Sequence, residues 1–256
     1  MTAMIPAGER ALLRPLYAAM PCLHGLWEAG LDGTGQAWAD APGNPRAAVM
    51  AVGDFLLCGG AADAALLREA VASARKPWLV YAPGRWLQAL EGVAPFRLTE
   101  RQAFRPDVQP EDAQLRRLLE HLPEDVRLQP LEGPWIPWCR ARDWSLDFVS
   151  QFTDEGFAAE GLGVLVMREG EPVSGAGAYV RYPGGLEVQV TTRADCEGRG
   201  LATLASAALV LRAHEEGLVA TWDAANPVSA RIAQKLGYRP ADRYTVAWLD
   251  EACKMY

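Results

Sequence analysis

Three apolar runs joined by two tight turns, with a long helical run directly behind them, set the frame for the second half of the chain. Gly163–Arg168 reads as a strand, Glu169-Gly170-Glu171-Pro172 as a turn and Val173–Arg181 as the next strand. Pro183-Gly184-Gly185 turns the chain again before a third strand over Leu186–Thr192. Connections this short join antiparallel neighbours, because a parallel partner needs a crossover of a dozen or more residues. The pattern therefore predicts a meander. A loop over Arg193–Gly198 then leads into an amphipathic helix from Gly200 to Glu216, with Leu201, Leu204, Ala208 and Leu211 on one face. A strand over Leu218–Trp222, a helix over Asn226–Leu236 and a strand over Tyr244–Leu249 complete an α+β domain.

The junction between meander and helix carries the chemistry. Glu197-Gly198-Arg199-Gly200-Leu201-Ala202 places small residues at alternate positions just ahead of a helix. Such a loop aims several free backbone N–H groups at one spot, and the helix dipole adds positive potential behind them, which suits a pyrophosphate. Gly200 permits close approach and Ala202 leaves room beside it. A tight turn without a ligand explains the same residues. No Gly-Lys-Ser/Thr follows, so this is not a Walker loop. The preceding strand belongs to a meander, so it is not a dinucleotide fingerprint either.

The first half is less regular. Leu12, Leu13, Leu16, Tyr17 and Met20 recur at helical spacing, and a helix is expected up to about Trp27, followed by a turn at Gly30, Gly33 and Gly35. Ala47–Gly60 reads as two strands turning at Gly53-Asp54, and Asp63 as the cap of a helix reaching about Arg75. Trp78–Tyr81 is a short buried strand, Trp86–Leu90 a helix, and Phe96–Phe104 a strand at a sheet edge. Prolines at 106, 110, 123, 130, 134 and 137 punctuate a helix over Pro110–Leu122 and mark a connector. Trp135 and Trp138 are too apolar for a free linker and are expected to pin the two halves together. With 256 residues, this places one domain at 1–130 and another at 131–256.

Charge and cysteine usage narrow the function classes. With 25 basic and 32 acidic side chains the net charge is −7, which argues against a nucleic-acid partner because phosphate neutralisation needs a basic face. The uncharged stretch Gly200–Leu211 falls short of the ~18 apolar residues of a membrane span. Glu9, Arg10 and Arg14 stand where a secretion signal would be apolar, so the expected location is the cytoplasm. Cys22, Cys58, Cys139, Cys196 and Cys253 form no Cys-x-x-Cys pair, and His24, His121 and His214 are isolated, so no metal site is expected.

The Gly198–Ala202 loop resembles motif A of the GNAT acyltransferases, with Gly200 and Ala202 at its small positions and Glu197 where Arg or Gln is usual. Trp222–Ser229 followed by Ala233-Gln234-Lys235-Leu236-Gly237-Tyr238 resembles the strand-to-helix segment of the same superfamily. Together with Val173-Ser174-Gly175-Ala176 and Thr192, the ordered motifs are similar to the zwittermicin-resistance-type GNAT acetyltransferases over Phe148–Trp248. The resemblance implies a GNAT fold in the C-terminal half, a smaller degenerate GNAT-like α/β domain before it, and acetyl transfer from acetyl-CoA to an amine of a small molecule. The partner would be that small-molecule amine, an aminopolyol or antibiotic-like compound, and the protein a monomer or homodimer.

The resemblance also assigns residues. Backbone groups of Val190, Thr191 and Thr192 would pair with the pantetheine arm as an added strand. The loop Gly198, Arg199, Gly200, Leu201, Ala202 and Thr203 would bind the cofactor, with the N–H groups from Arg199 to Thr203 holding the pyrophosphate. Asn226 and Ser229 would meet the pantetheine at the head of the next helix. Many members place a Tyr acid seven residues past the Asn; here that position is Ala233, leaving Ser229 to serve. Glu187 and Gln189 share a strand face, and of the two only Glu187 can act as a base; Glu160 is a second carboxylate near the expected acceptor entrance, and Asp223 a candidate to hold an ammonium. Two other readings stay open: a CoA-binding module with little catalysis, and an N-acetyltransferase for peptides or proteins.

Overall fold

A computed structural model describes residues 2–73 and 78–249; Arg75 and Cys253 lie outside them. The chain divides into two compact units, Met1–Arg101 with Asp242–Tyr256, and Gln102–Ala241.

The first unit contains β1 (Ala3–Met4), a 3-10 turn, α1 (Arg14–Tyr17), α2 (His24–Leu31), β2 (Gln36–Ala39), β3 (Ala47–Val52), β4 (Phe55–Gly60), α3 (Ala64–Ala72), β5 (Trp78–Tyr81) and α4 (Arg85–Glu91). β6 (Arg97–Phe104) leads out of it. The single helix expected up to Trp27 is broken. Pro21 cannot supply the helical N–H, and Leu23 turns through φ 56°. The buried Arg10 guanidinium ties the pieces by donating to the carbonyls of Gly30, Thr34 and Gly35 at 3.0, 2.8 and 2.8 Å. The β3–β4 hairpin turns at Gly53, φ 62°, as its sequence indicates. Asp63 caps α3 by accepting from the N–H groups of Ala65 and Leu66 at 2.9 and 3.0 Å. β1 to β4 are antiparallel neighbours, β5 runs parallel to β4, and the core packs Trp38, Val49, Leu56, Leu66 and Trp86.

The second unit contains α5 (Asp112–Leu119), β7 (Val126–Pro130), α6 (Trp135–Arg140), α7 (Asp154–Glu160), β8 (Gly163–Arg168), β9 (Glu171–Tyr182), β10 (Gly185–Thr192), α8 (Leu201–Glu215), β11 (Val219–Thr221), β12 (Asp223–Ala224) and α9 (Pro227–Leu236). β13 (Pro240–Leu249) returns the chain to the first unit, where it pairs antiparallel with β5. β7 to β10 form the antiparallel meander, and β11 adds to it in parallel, giving the order β11-β10-β9-β8-β7. The architecture is α+β, with mixed, mostly antiparallel sheets flanked by helices.

The structure corrects two expectations here and adds detail to two others. The proline-rich stretch is not a bare connector: β7 is an outer strand of the sheet, and its terminal Pro130 sits on an edge that needs no donor. Trp135, Trp138, Trp144 and Phe148 stack edge to face in sequence within the second unit, at centroid separations of 6.0, 6.1 and 6.0 Å. α8 is not amphipathic, because Leu201, Thr203–Leu211 and Ala213 are all buried; β8, β9 and β10 cover one side while α5 and α9 pack against the rest. Over Arg97–Arg101 β6 has no second strand paired to it among the described residues, as expected of an edge, and only Gln102 and Ala103 gain β12 as a neighbour opposite β13. Among the described residues no helix is long and apolar enough to cross a membrane.

Candidate functional site

β10 and β11 stay paired for only three rungs, Gly185↔Val219, Leu186↔Ala220 and Glu187↔Thr221. Beyond Thr221 the chain leaves β10, and β12 pairs instead with Ala103 and Gln102 of β6. β10 continues alone on that side through Val190, Thr191 and Thr192, held on the other side by Ala176, Gly175 and Ser174 of β9. The buried Ser174 hydroxyl pins this end, lying 2.7 Å from Thr192 Oγ1 and donating to the Thr191 carbonyl at 3.1 Å. An opened strand flank offers backbone donors and acceptors to an extended ligand.

The loop that follows is shaped by two glycines at positive φ, Gly198 at 75° and Gly200 at 78°. A side chain at either would meet nothing within 4 Å, so both border open space. Gly200 caps α8 with no side chain to satisfy the helix. Among the described residues the N–H groups of Gly198, Arg199, Gly200, Leu201 and Ala202 have no acceptor, whereas those of Thr203 and Leu204 donate to the Gly200 carbonyl at 3.0 and 3.3 Å. The free donors therefore run from Gly198 to Ala202, one residue earlier than the run from Arg199 to Thr203, and Thr203 itself is buried. Glu197 is exposed beside them. Arg199 is exposed and makes no ion pair among the described residues, while Arg193 is engaged by Asp195 and Glu171 at 2.7 and 3.5 Å.

Strand alternation sorts the side chains at the opening. Leu186, Val188, Ala220, Trp222 and Ala224 belong to the core under α8. The opposite face therefore carries Glu187 and Gln189 of β10, with Thr221 beside Glu187 in the last paired rung and Asp223 beyond it. The register shift beside Glu187 skips Tyr179 on β9, so β10 keeps its alternation. Glu187 is 5% exposed, and its Oε2 lies 2.5 Å from Thr221 Oγ1. The Tyr238 hydroxyl donates to the Ala220 carbonyl at 2.8 Å; burial first, then the charge of Glu187, pushes its pKa well up, so it stays protonated.

At the head of α9, Asn226 Oδ1 accepts from the N–H groups of Val228 and Ser229, both at 3.0 Å. Ser229 Oγ accepts from Trp222 Nε1 at 3.1 Å, which leaves its own hydrogen to donate. Ala233 is fully buried. Glu160 is exposed at the end of α7. Thr221 had no local sequence signal; only the register of the parallel pair brings it to Glu187. Among the described residues Cys22, Cys58, Cys139 and Cys196 are buried, and burial pushes the Cys139 thiol up to about 11. No metal-binding group of His, Cys, Asp or Glu occurs among the described residues.

Comparisons with known proteins agree with this geometry. The family model described as GNAT acetyltransferase matches residues 22–247. A GCN5-related N-acetyltransferase-like protein from Streptococcus suis 89/1591 is 28% identical, with a TM-score of 0.85 over 94% of this chain and 99% of that one. A GCN5-related N-acetyltransferase from Kribbella flavida is 19% identical, with a TM-score of 0.53 over 80% of this chain and 87% of that one. A tandem GNAT protein from the clavulanic acid biosynthesis pathway is 14% identical, with a TM-score of 0.53 over 97% and 98%. The last two share the fold alone. No curated protein matches the chain. A family model spanning nearly the whole chain, over a sheet that opens beside an uncapped helix, places the chain in the GNAT acetyltransferase family, as an acyltransferase of GNAT fold.

Proposed function

We propose that this enzyme moves an acetyl group from acetyl-CoA to a primary amine of a small molecule. The observation that carries the reading is the uncapped start of α8, where five consecutive N–H groups beside two open glycine positions face no acceptor among the described residues. These residues fit a pyrophosphate, since oriented donors and the helix dipole attract an anion without any excess of basic side chains. Bound there, acetyl-CoA supplies an acetyl thioester that a neutral amine attacks directly. Arg199 adds one cation, Val190–Thr192 offer backbone groups to the pantetheine arm, and Asn226 and Ser229 border the same opening. Glu187 takes the proton of the incoming ammonium, and the hydroxyl hydrogen of Ser229 is available to the departing sulfur. The likeness of several motifs to the zwittermicin-resistance type supports an aminopolyol-like acceptor.

Titration calorimetry with acetyl-CoA and desulfo-CoA, beside a thiol-release assay over a panel of amines, tests the reading. Gly200→Trp fills the cradle, and its binding of either compound is expected to vanish; wild-type affinity in that variant overturns the phosphate-loop argument. A second reading, a CoA-binding module with little turnover, is favoured by Ala233, whose buried methyl stands where many relatives carry an acid. Tight binding with no thiol release from any amine selects it.

A further inference from the structure

We propose that Thr221 is a positioning residue for Glu187, its hydroxyl holding one oxygen of the carboxylate and keeping this buried group in the charged form that accepts a proton. The proposal rests on the reading of Glu187 as the base in acetyl transfer. Burial works against such a base, because desolvation favours the neutral carboxyl. A donor to the charged form works the other way, and O–H···O⁻ bonds are short, about 2.5–2.7 Å. Thr221 Oγ1 meets Glu187 Oε2 at 2.5 Å.

The placement follows from the register. Glu187 and Thr221 are partners in the last rung before the sheet opens, and both side chains lie on the face opposite α8. Thr221 is 3% exposed and its β-branched side chain is stiff; its single hydroxyl hydrogen has two acceptors in reach, Glu187 Oε2 at 2.5 Å and the Leu186 carbonyl at 2.9 Å, and the shorter contact to the charged oxygen takes it. Tyr238 already donates to Ala220; Tyr182 comes from β9, and Asp223 shares the face from β12. Arg181 of β9 points to the other face, 3.7 Å from Glu216 at the end of α8. In the step served, one proton leaves the ammonium nitrogen for Glu187, giving a neutral amine and a neutral carboxyl.

The test compares pH profiles of kcat/KM for the wild type, Thr221→Val, Thr221→Ser and Glu187→Gln. Loss of a donor to the charged form raises the pKa of Glu187, so the acidic limb of Thr221→Val is expected to move upward by ~1–2 pH units. Thr221→Ser keeps the hydroxyl and is expected to hold the wild-type limb, and Glu187→Gln to lack it. A limb unmoved in Thr221→Val, or moved equally in the Val and Ser variants, overturns the proposal. If no amine is acetylated, infrared titration of carbon-13-labelled carboxylates, with Glu187→Gln subtracted, reads the same group directly. An upward shift in Thr221→Val then upholds the role of Thr221 while the acetyl-transfer reading falls; an unchanged midpoint overturns it.

Discussion

Two helix starts in this chain are handled in opposite ways by single residues. At α3 the carboxylate of Asp63 fills the place where an anion would sit, accepting from two N–H groups. At α8 the corresponding position is Gly200, which brings no side chain, and the donors stay free. One start is closed by its own residue and the other is open to a ligand. Ala233 shows the same scale of control in the reverse sense. Its methyl is fully buried in the core that holds Trp222, Leu236 and Tyr238, so no room exists there for the tyrosine many relatives carry. Ala233→Tyr is expected to overpack this core and lower stability by about 1–3 kcal/mol without raising turnover, as read by thermal melting and thiol release. A variant that is as stable as the wild type and faster overturns the argument that Ala233 is a packing residue.

Local signals defined most elements, because turns and caps depend on a few adjacent residues. Gly53-Asp54, Asp63, Gly170 and Pro183-Gly184-Gly185 could all be read directly, and the meander with them. What the sequence hid was what lies beyond each element. The run Ala205-Ser206-Ala207-Ala208 looks neutral, yet all four residues are buried because helices close the side that a one-faced pattern leaves to water. The Gly198–Ala202 loop was legible from its glycines, whereas the Glu187–Thr221 contact spans 34 residues and depends on strand register. Between α5 and α8 a polar contact adds to the apolar packing around Leu115: His214 Nδ1 lies 2.7 Å from Asp112 Oδ1. The bond to His214 holds the Asp112 carboxyl below its usual range. A depressed carboxylate stabilises above its ordinary pKa near ~4, and the contribution is lost as pH falls through the lower folded value. The wild type is therefore expected to melt above Asp112→Asn at neutral pH, with the two curves converging in acid. A gap that stays constant down to about pH 2.5 removes this link from the account.

At the scale of the whole molecule the chain passes between its units twice, within β6 and within β13. The first unit is therefore discontinuous in sequence and the second continuous, which composition alone did not reveal: the prolines drew attention to residues 105–137, while the return through β13 carries no comparable signal. A cut at 130/131 and cuts at 101/102 and 241/242 consequently make different predictions. A fragment of residues 131–256 lacks β7, which pairs with β8 from Val126↔Arg168 to Pro130↔Val164, and lacks α5, whose Leu115 is part of the core around α8. A fragment of residues 1–130 lacks β13, which pairs with β5 through Ala247↔Val80, Trp248↔Leu79 and Leu249↔Trp78. Residues 102–241 retain the five-stranded sheet, α8, the Gly198–Ala202 loop and the Glu187–Thr221 pair together. This fragment is expected to unfold in urea as one cooperative transition, followed by circular dichroism, while residues 131–256 show none. A cooperative transition in 131–256 and its absence in 102–241 would move the boundary of the second unit to the proline-rich stretch, and would mean that α5 and β7 contribute little to holding α8 against its sheet.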